Sequence, residues 1–145
     1  MAEKQKIEGQ CLCGGVKVAA AIDAPTLAAC HCSMCHRQNS GPYISIMTEQ
    51  SATQAEGPIK VFRSSEWAER AFCSECGSTL WYSTVHDGAR YLSAGLFENA
   101  GGARLTLEYF SDNCPQGYTL AGDHKRMTEA ETIALFTSEM EGEHD

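Results

Sequence analysis

The chain has 145 residues, an apolar fraction of 43% and a formal net charge of −8. Length and composition fit one domain, 1–145, with a modest core. The longest uninterrupted apolar run, residues 18–22, is far short of the roughly 20 residues of a membrane helix, and an acidic chain without a basic block is poorly suited to nucleic acid. Residues 1–6 are polar and lead into no apolar signal core, so the expected compartment is the cytoplasm, where disulfides are rarely maintained.

In chain order, residues 7–22 read as strand, turn, strand. Val16, Val18, Ala20 and Ile22 alternate with Lys17, Ala19 and Ala21, the period of two of a half-buried strand. The stretch 23–25 ends it, and 26–30 reads as a short strand. Residues 37–42 form a polar, tightly turning segment with at most one helical turn. Strands follow at 43–48 and 59–63, with 50–58 a loop. Residues 66–70 lead into a cysteine pair and 79–83 leave it as a strand. His86-Asp87-Gly88 marks a hairpin turn. A strand is expected at 91–97, with Gly95 a bulge, and the last at 105–110. Thr128-Glu129-Ala130-Glu131 is a capping-box sequence. With Ile133, Phe136 and Met140 at helical spacing it predicts a helix near 129–140, followed by a frayed end at 141–145. The sequence has no internal repeat and no interdomain linker, and the motif core runs from about 7 to 110.

Seven of the eight cysteines fall in three clusters: Cys11 and Cys13; Cys30, Cys32 and Cys35; Cys73 and Cys76. Cys73-x-x-Cys76-Gly77 has the form of a zinc knuckle, and Cys11-x-Cys13-Gly14 is a tighter variant. Two pairs far apart in the chain, each at a glycine turn, are the usual parts of a tetrahedral structural zinc site. A redox Cys-x-x-Cys would normally open a helix, whereas the residues after Cys76 read as a strand. The trio Cys30, Cys32 and Cys35 can face a second zinc with its fourth position open, the hallmark of an exchangeable or catalytic site. Three thiolates make such a zinc better suited to holding a thiolate than to ionising water. A closed site completed by a histidine or Cys114, or an oxidisable trio, are the alternatives.

The order Gly-x-Cys-x-Cys-Gly-x-Val, Cys-His-Cys-Ser-x-Cys and Phe-Cys-x-x-Cys-Gly-Ser resembles the family of glutathione-dependent formaldehyde-activating enzymes, which includes centromere protein V. Here the motifs are residues 9–16, 30–35 and 72–78. The resemblance implies a mainly β fold of antiparallel sheets clasped by zinc, a β-tent, here with a short C-terminal helix. It implies a structural zinc on Cys11, Cys13, Cys73 and Cys76 and a second on Cys30, Cys32 and Cys35. It also implies glutathione as co-substrate and a carbon–sulfur lyase that makes S-hydroxymethylglutathione from formaldehyde. Two departures stand out. His36 follows the third cysteine of the trio where the family commonly has Arg, and Arg37 comes next. The stretch after Leu107 lacks the family's usual His-bearing strand and Pro-Trp segment.

For thiol addition to a carbonyl, His31 and His36 are the candidate proton donors, being next to the trio and of a type that titrates near neutrality. Arg37 is the best-placed cation for an anionic thiol, with Arg63 and Arg70 as surface alternatives. Trp81 and Tyr82 read as core and rim of a sheet; Cys114, Tyr118 and His124 carry no readable role. The partners expected are a small thiol and a small carbonyl. The alternatives are a non-catalytic zinc-stabilised binding module and a methionine sulfoxide reductase, for which Cys114 would have to recycle the site.

Overall fold

The computed structural model describes residues 4–23 and 25–143, with side chains to residue 139. The fold is mainly β with two helices. The elements are β1 (Gln5–Gln10), β2 (Lys17–Ile22), β3 (Thr26–Cys30), α1 (Ser33–Asn39), β4 (Tyr43–Glu49), β5 (Thr53–Glu56), β6 (Ile59–Arg63), β7 (Ala68–Cys73), β8 (Thr79–Thr84), β9 (Ala89–Ser93), β10 (Arg104–Tyr109), β11 (Lys125–Arg126) and α2 (Glu129–Glu143). The chain divides into two compact units, residues 1–27 with 45–104, and residues 28–44 with 105–145.

In the first unit β1, β2 and β5 form one antiparallel sheet. The alternation in β2 holds, because Val16, Val18, Ala20 and Ile22 are all buried. A second antiparallel run has the order β4-β9-β8-β7-β6. Its cross-strand row Ile46, Leu92, Trp81 and Ala71 faces the core with Leu80, Phe97 and Cys73. The hairpin turn at 86–88 is present: Asp87 accepts from the Ala89 N–H at 3.0 Å and from the Thr84 hydroxyl.

The second unit orders its strands β11-β10-β3, with β10 and β11 parallel. Buried polar side chains are prominent here, namely His31, Glu108 and Thr132. Thr132 is fixed at both ends: its Oγ1 accepts from Phe110 N–H at 3.1 Å and donates to Thr128 O at 2.7 Å. The capping box forms as the sequence indicates, with Thr128 N–H to Glu131 at 3.0 Å and Glu131 N–H to the Thr128 hydroxyl at 3.2 Å. Among the described helices none is long and apolar enough to cross a membrane.

Several sequence expectations are corrected. Residues 37–42 hold less than one helical turn as expected, but they close a seven-residue helix that starts at Ser33 inside the cysteine trio, capped by the Cys32 sulfur and ended by Ser40 in the left-handed conformation. The expected loop at 50–58 contains β5, a polar strand recruited by the free edge of β2. The strand expected at 91–97 stops at Ser93, and Gly95 lies in a 3₁₀ turn rather than a bulge. The strand at 105–110 is not the last, since β11 follows it. The final helix runs on to Glu143 instead of fraying from 141, and residues 144 and 145 lie outside the described ones. Its inward face is also rotated: Thr132 is buried while Ile133 is 52% exposed, because the polar lock on Phe110 outranks one apolar side chain. The Met140 side chain, the third of the expected face, lies outside the described side chains, as does residue 24 in the 23–25 stop.

Candidate metal centres

The four-cysteine group is built from two matching turns of the first unit. At Cys11 the loop closes by Cys11 N–H to Val16 O at 3.1 Å and Gly14 N–H to Cys11 O at 3.0 Å. At Cys73 it closes by Cys73 N–H to Ser78 O at 3.0 Å and Gly77 N–H to Cys73 O at 2.8 Å. Gly14 and Gly77 take φ of +80° and +79°, the left-handed turn that an L side chain resists. This is why each pair is followed by glycine.

The turns aim main-chain N–H groups at sulfur: Val16 to Cys11 at 3.3 Å, Gly15 to Cys13 at 3.4 Å and Cys76 to Cys73 at 3.5 Å. The four sulfurs lie within 4.8 Å of one another, with Cys11 to Cys13 at 3.6 Å and Cys13 to Cys73 at 3.8 Å. A zinc–sulfur bond of about 2.3 Å in a tetrahedron gives sulfur–sulfur edges of about 3.8 Å, so the cage has the size zinc requires. The Ser78 hydroxyl and N–H draw Cys76 down to about 5. For Cys13 the Gly15 N–H pulls downward, yet the Cys11 and Cys76 sulfurs push it up to about 12. Crowded sulfurs cannot all become thiolates without a cation among them.

The trio belongs to the second unit. Cys30 ends β3, Cys32 caps α1 and Cys35 is buried in its first turn. The Cys32 sulfur accepts the Cys35 N–H at 3.4 Å, which folds the two thiols onto one side. The three sulfurs lie within 4.8 Å of one another, and among the described residues no histidine nitrogen, carboxylate or fourth sulfur joins that group. Cys32 and Cys35, followed by burial, push the Cys30 thiol strongly upward, so this set too is fitted to a cation. Zinc, which accepts three cysteines and an exchangeable fourth ligand, suits both donor sets.

Of the other candidates, His31 is fully buried, and its Nε2 sits 2.7 Å from the Glu108 carboxylate. Its Nδ1 faces His36 Nε2 at 3.4 Å, with the rings edge to face. His36 is half-buried on α1, and Arg37 is exposed beside it. Arg63 is spent on the turn after β6, donating to Ser65 O at 2.8 Å and Glu66 O at 2.6 Å. Arg70 is not a surface residue: it is 4% exposed, with its guanidinium 4.9 Å from the centre of the Tyr82 ring. Trp81 is core and Tyr82 half-buried, as read from the sequence. Cys114 stands outside both sulfur groups, donates to Tyr118 O at 3.4 Å, and has its thiol pushed up by burial and Glu108. That removes it as a fourth ligand and makes it a poor recycling thiol.

Glu108, His124 and Arg126 are the residues the sequence reading missed. Glu108 looks like an outward residue of a strand, and His124 like part of an unreadable loop. The parallel pairing of Glu108 with Arg126 brings them together. One signal was available: the stretch that departs from the family pattern opens on Glu108, and His124 follows it in the chain.

The sequence profile of the glutathione-dependent formaldehyde-activating enzymes matches residues 6–113. The chain belongs to this family. It is 30% identical over 128 residues to an uncharacterised lyase of Schizosaccharomyces pombe, covering 87% of this chain and 93% of the relative. A crystal structure of a Rhodobacter sphaeroides protein has the same fold, with a TM-score of 0.54 at 17% identity over 69% of this chain and all of the other. The family profile ends at residue 113, before His124 and Arg126.

Proposed function

We propose that the protein is a zinc-dependent carbon–sulfur lyase that joins a glutathione-type thiol to formaldehyde or another small carbonyl. The observation that carries this reading is the trio: three sulfurs within 4.8 Å of one another, with no fourth protein ligand in the group among the described residues. In the net reaction the sulfur–carbon bond forms, the carbonyl π bond opens, and the thiol proton ends on the new hydroxyl. Run in reverse, the same steps release the carbonyl.

Cys11, Cys13, Cys73 and Cys76 would hold a structural zinc, and Cys30, Cys32 and Cys35 a second one. A zinc held by the trio would favour the thiolate form of a substrate thiol. His36 is the assigned proton donor, because it is half-buried on the helix that carries Cys35, while His31 is fully enclosed and orients it. Arg37, exposed one residue further on, favours the approach of an anionic thiol to an otherwise acidic protein. The reducing cytosol is the compartment that suits seven clustered thiols.

Exchange NMR of glutathione with labelled formaldehyde tests the reading. Acceleration of adduct formation by the wild-type protein, lost in Cys32→Ser, is the expected result. No acceleration with formaldehyde or other small aldehydes, at full zinc loading, would leave a zinc-stabilised binding module.

A further inference from the structure

Glu108 is 3% exposed, yet three side chains converge on its carboxylate: His31 Nε2 at 2.7 Å, Arg126 Nε at 3.0 Å, and His124 Nε2. Taking a carboxylate out of water is costly, and such a group persists only when its partners are well placed. Holding β10 to β11 does not require it, because the main chain already does so through Met127 N–H to Glu108 O at 2.8 Å. What the carboxylate adds is a grip on His31.

His31 is anchored twice on β10: its N–H donates to Tyr109 O at 3.1 Å, and its ring meets Glu108. It lies between Cys30, the last residue of β3, and Cys32, which has extended dihedrals of −63° and 157°. In extended chain alternate side chains share a side. Pinning residue 31 toward β10 therefore presents Cys30 and Cys32 together on the opposite side. The far nitrogen of the same ring meets His36, which ties in the helix that carries Cys35.

We propose that Glu108 is a positioning residue of the trio: through His31 it sets Cys30 and Cys32 in ligating geometry, and His124 and Arg126 clamp it in place. The inference rests on the reading of the trio as a metal site. It extends that site to Glu108 and, beyond the stretch matched by the family profile, to His124 and Arg126.

Cobalt(II) titration of the full-length, metal-free protein tests it, read by thiolate charge-transfer and ligand-field absorption. The four-cysteine group of the same chain is the internal control. Wild type is expected to take up two equivalents in two steps. Glu108→Gln should weaken the three-cysteine step by about 10-fold or more and shift its ligand-field bands, with the four-cysteine step unchanged. If Glu108→Gln loses the four-cysteine step as well, it has failed to fold, and His124→Gln and Arg126→Gln decide. These leave the Glu108–His31 contact in place and should weaken the same step to a smaller extent. Two steps in wild type with unchanged three-cysteine spectra and affinity in the folded variants would overturn the role of Glu108 and leave the metal site standing. A single equivalent in wild type would overturn both.

Discussion

In the four-cysteine group the ligands arrive as two pairs, and the sulfurs lean on main-chain N–H groups. Two of them, Cys11 and Cys73, belong to the core cluster with Leu80, Trp81 and Leu92. In the trio the ligands come from one continuous stretch, and its surroundings are a buried polar network of His31, Glu108 and His124. The first arrangement offers an ion four protein sulfurs; the second offers three, with the polar network behind them. One group is shaped by turn geometry and apolar packing, the other by directed hydrogen bonds. That division is what a structural site and a working site would each require.

The comparison breaks most severely at the knuckles. Cys73→Ser should abolish cooperative folding, because a structural zinc contributes on the order of 10 kcal/mol, comparable to the whole stability of a domain. Calorimetry with and without a chelator reads this. Cys32→Ser should instead retain the fold, lose one zinc per chain and lose adduct-forming activity by about 100-fold or more; loss of the cooperative transition in Cys32→Ser as well would erase the distinction.

The core of the first unit can be probed at Leu92, fully buried in its row. Leu92→Ala should cost about 2–5 kcal/mol in urea unfolding. The polar network has a pH signature instead. Burial would raise the Glu108 carboxyl, but the His124 and His31 hydrogen bonds outweigh it and hold the group below its ordinary value of 4.5. A depressed carboxyl stabilises the fold fully above its unfolded value, and that contribution disappears as pH falls through the folded one. The wild-type melting temperature should therefore drop below about pH 4.5 more steeply than that of Glu108→Gln. Equal slopes would remove Glu108 as a source of acid sensitivity. The smallest effect belongs to the capping box: Thr128→Ala should cost about 1 kcal/mol, seen as increased amide exchange in the first turn of α2.

What could be read in advance follows the same division. The knuckles were legible because a glycine turn with two cysteines is a local pattern, as Gly14 and Gly77 show. The β2 alternation was legible because Val16, Val18 and Ile22 share one face, whereas the other carries Lys17 and only small alanines. The strand β5 was hidden, since Thr53–Glu56 has no apolar face and pairs only because β2 offers an edge. Ile133 misled because periodicity weighs apolar residues and ignores the hydroxyl of Thr132. The Glu108 network could not be found at all by spacing: its members are 77 and 16 residues apart in the chain, and a lone Glu on a strand reads as solvent-facing.

Cys13 and Cys73 are separated by 60 positions, whereas Cys30 and Cys35 lie within six residues of each other. An ion bridging the first pair would act as a cross-link on the unfolded chain. Closing the longer loop removes about 2 kcal/mol more chain entropy than closing the shorter one. The contiguous trio adds almost nothing of that kind, so gain or loss of its ion should leave the unfolded ensemble nearly unchanged. As a cross-link, then, an ion on the trio is nearly neutral, and whatever stability it brings comes from its binding to the folded site.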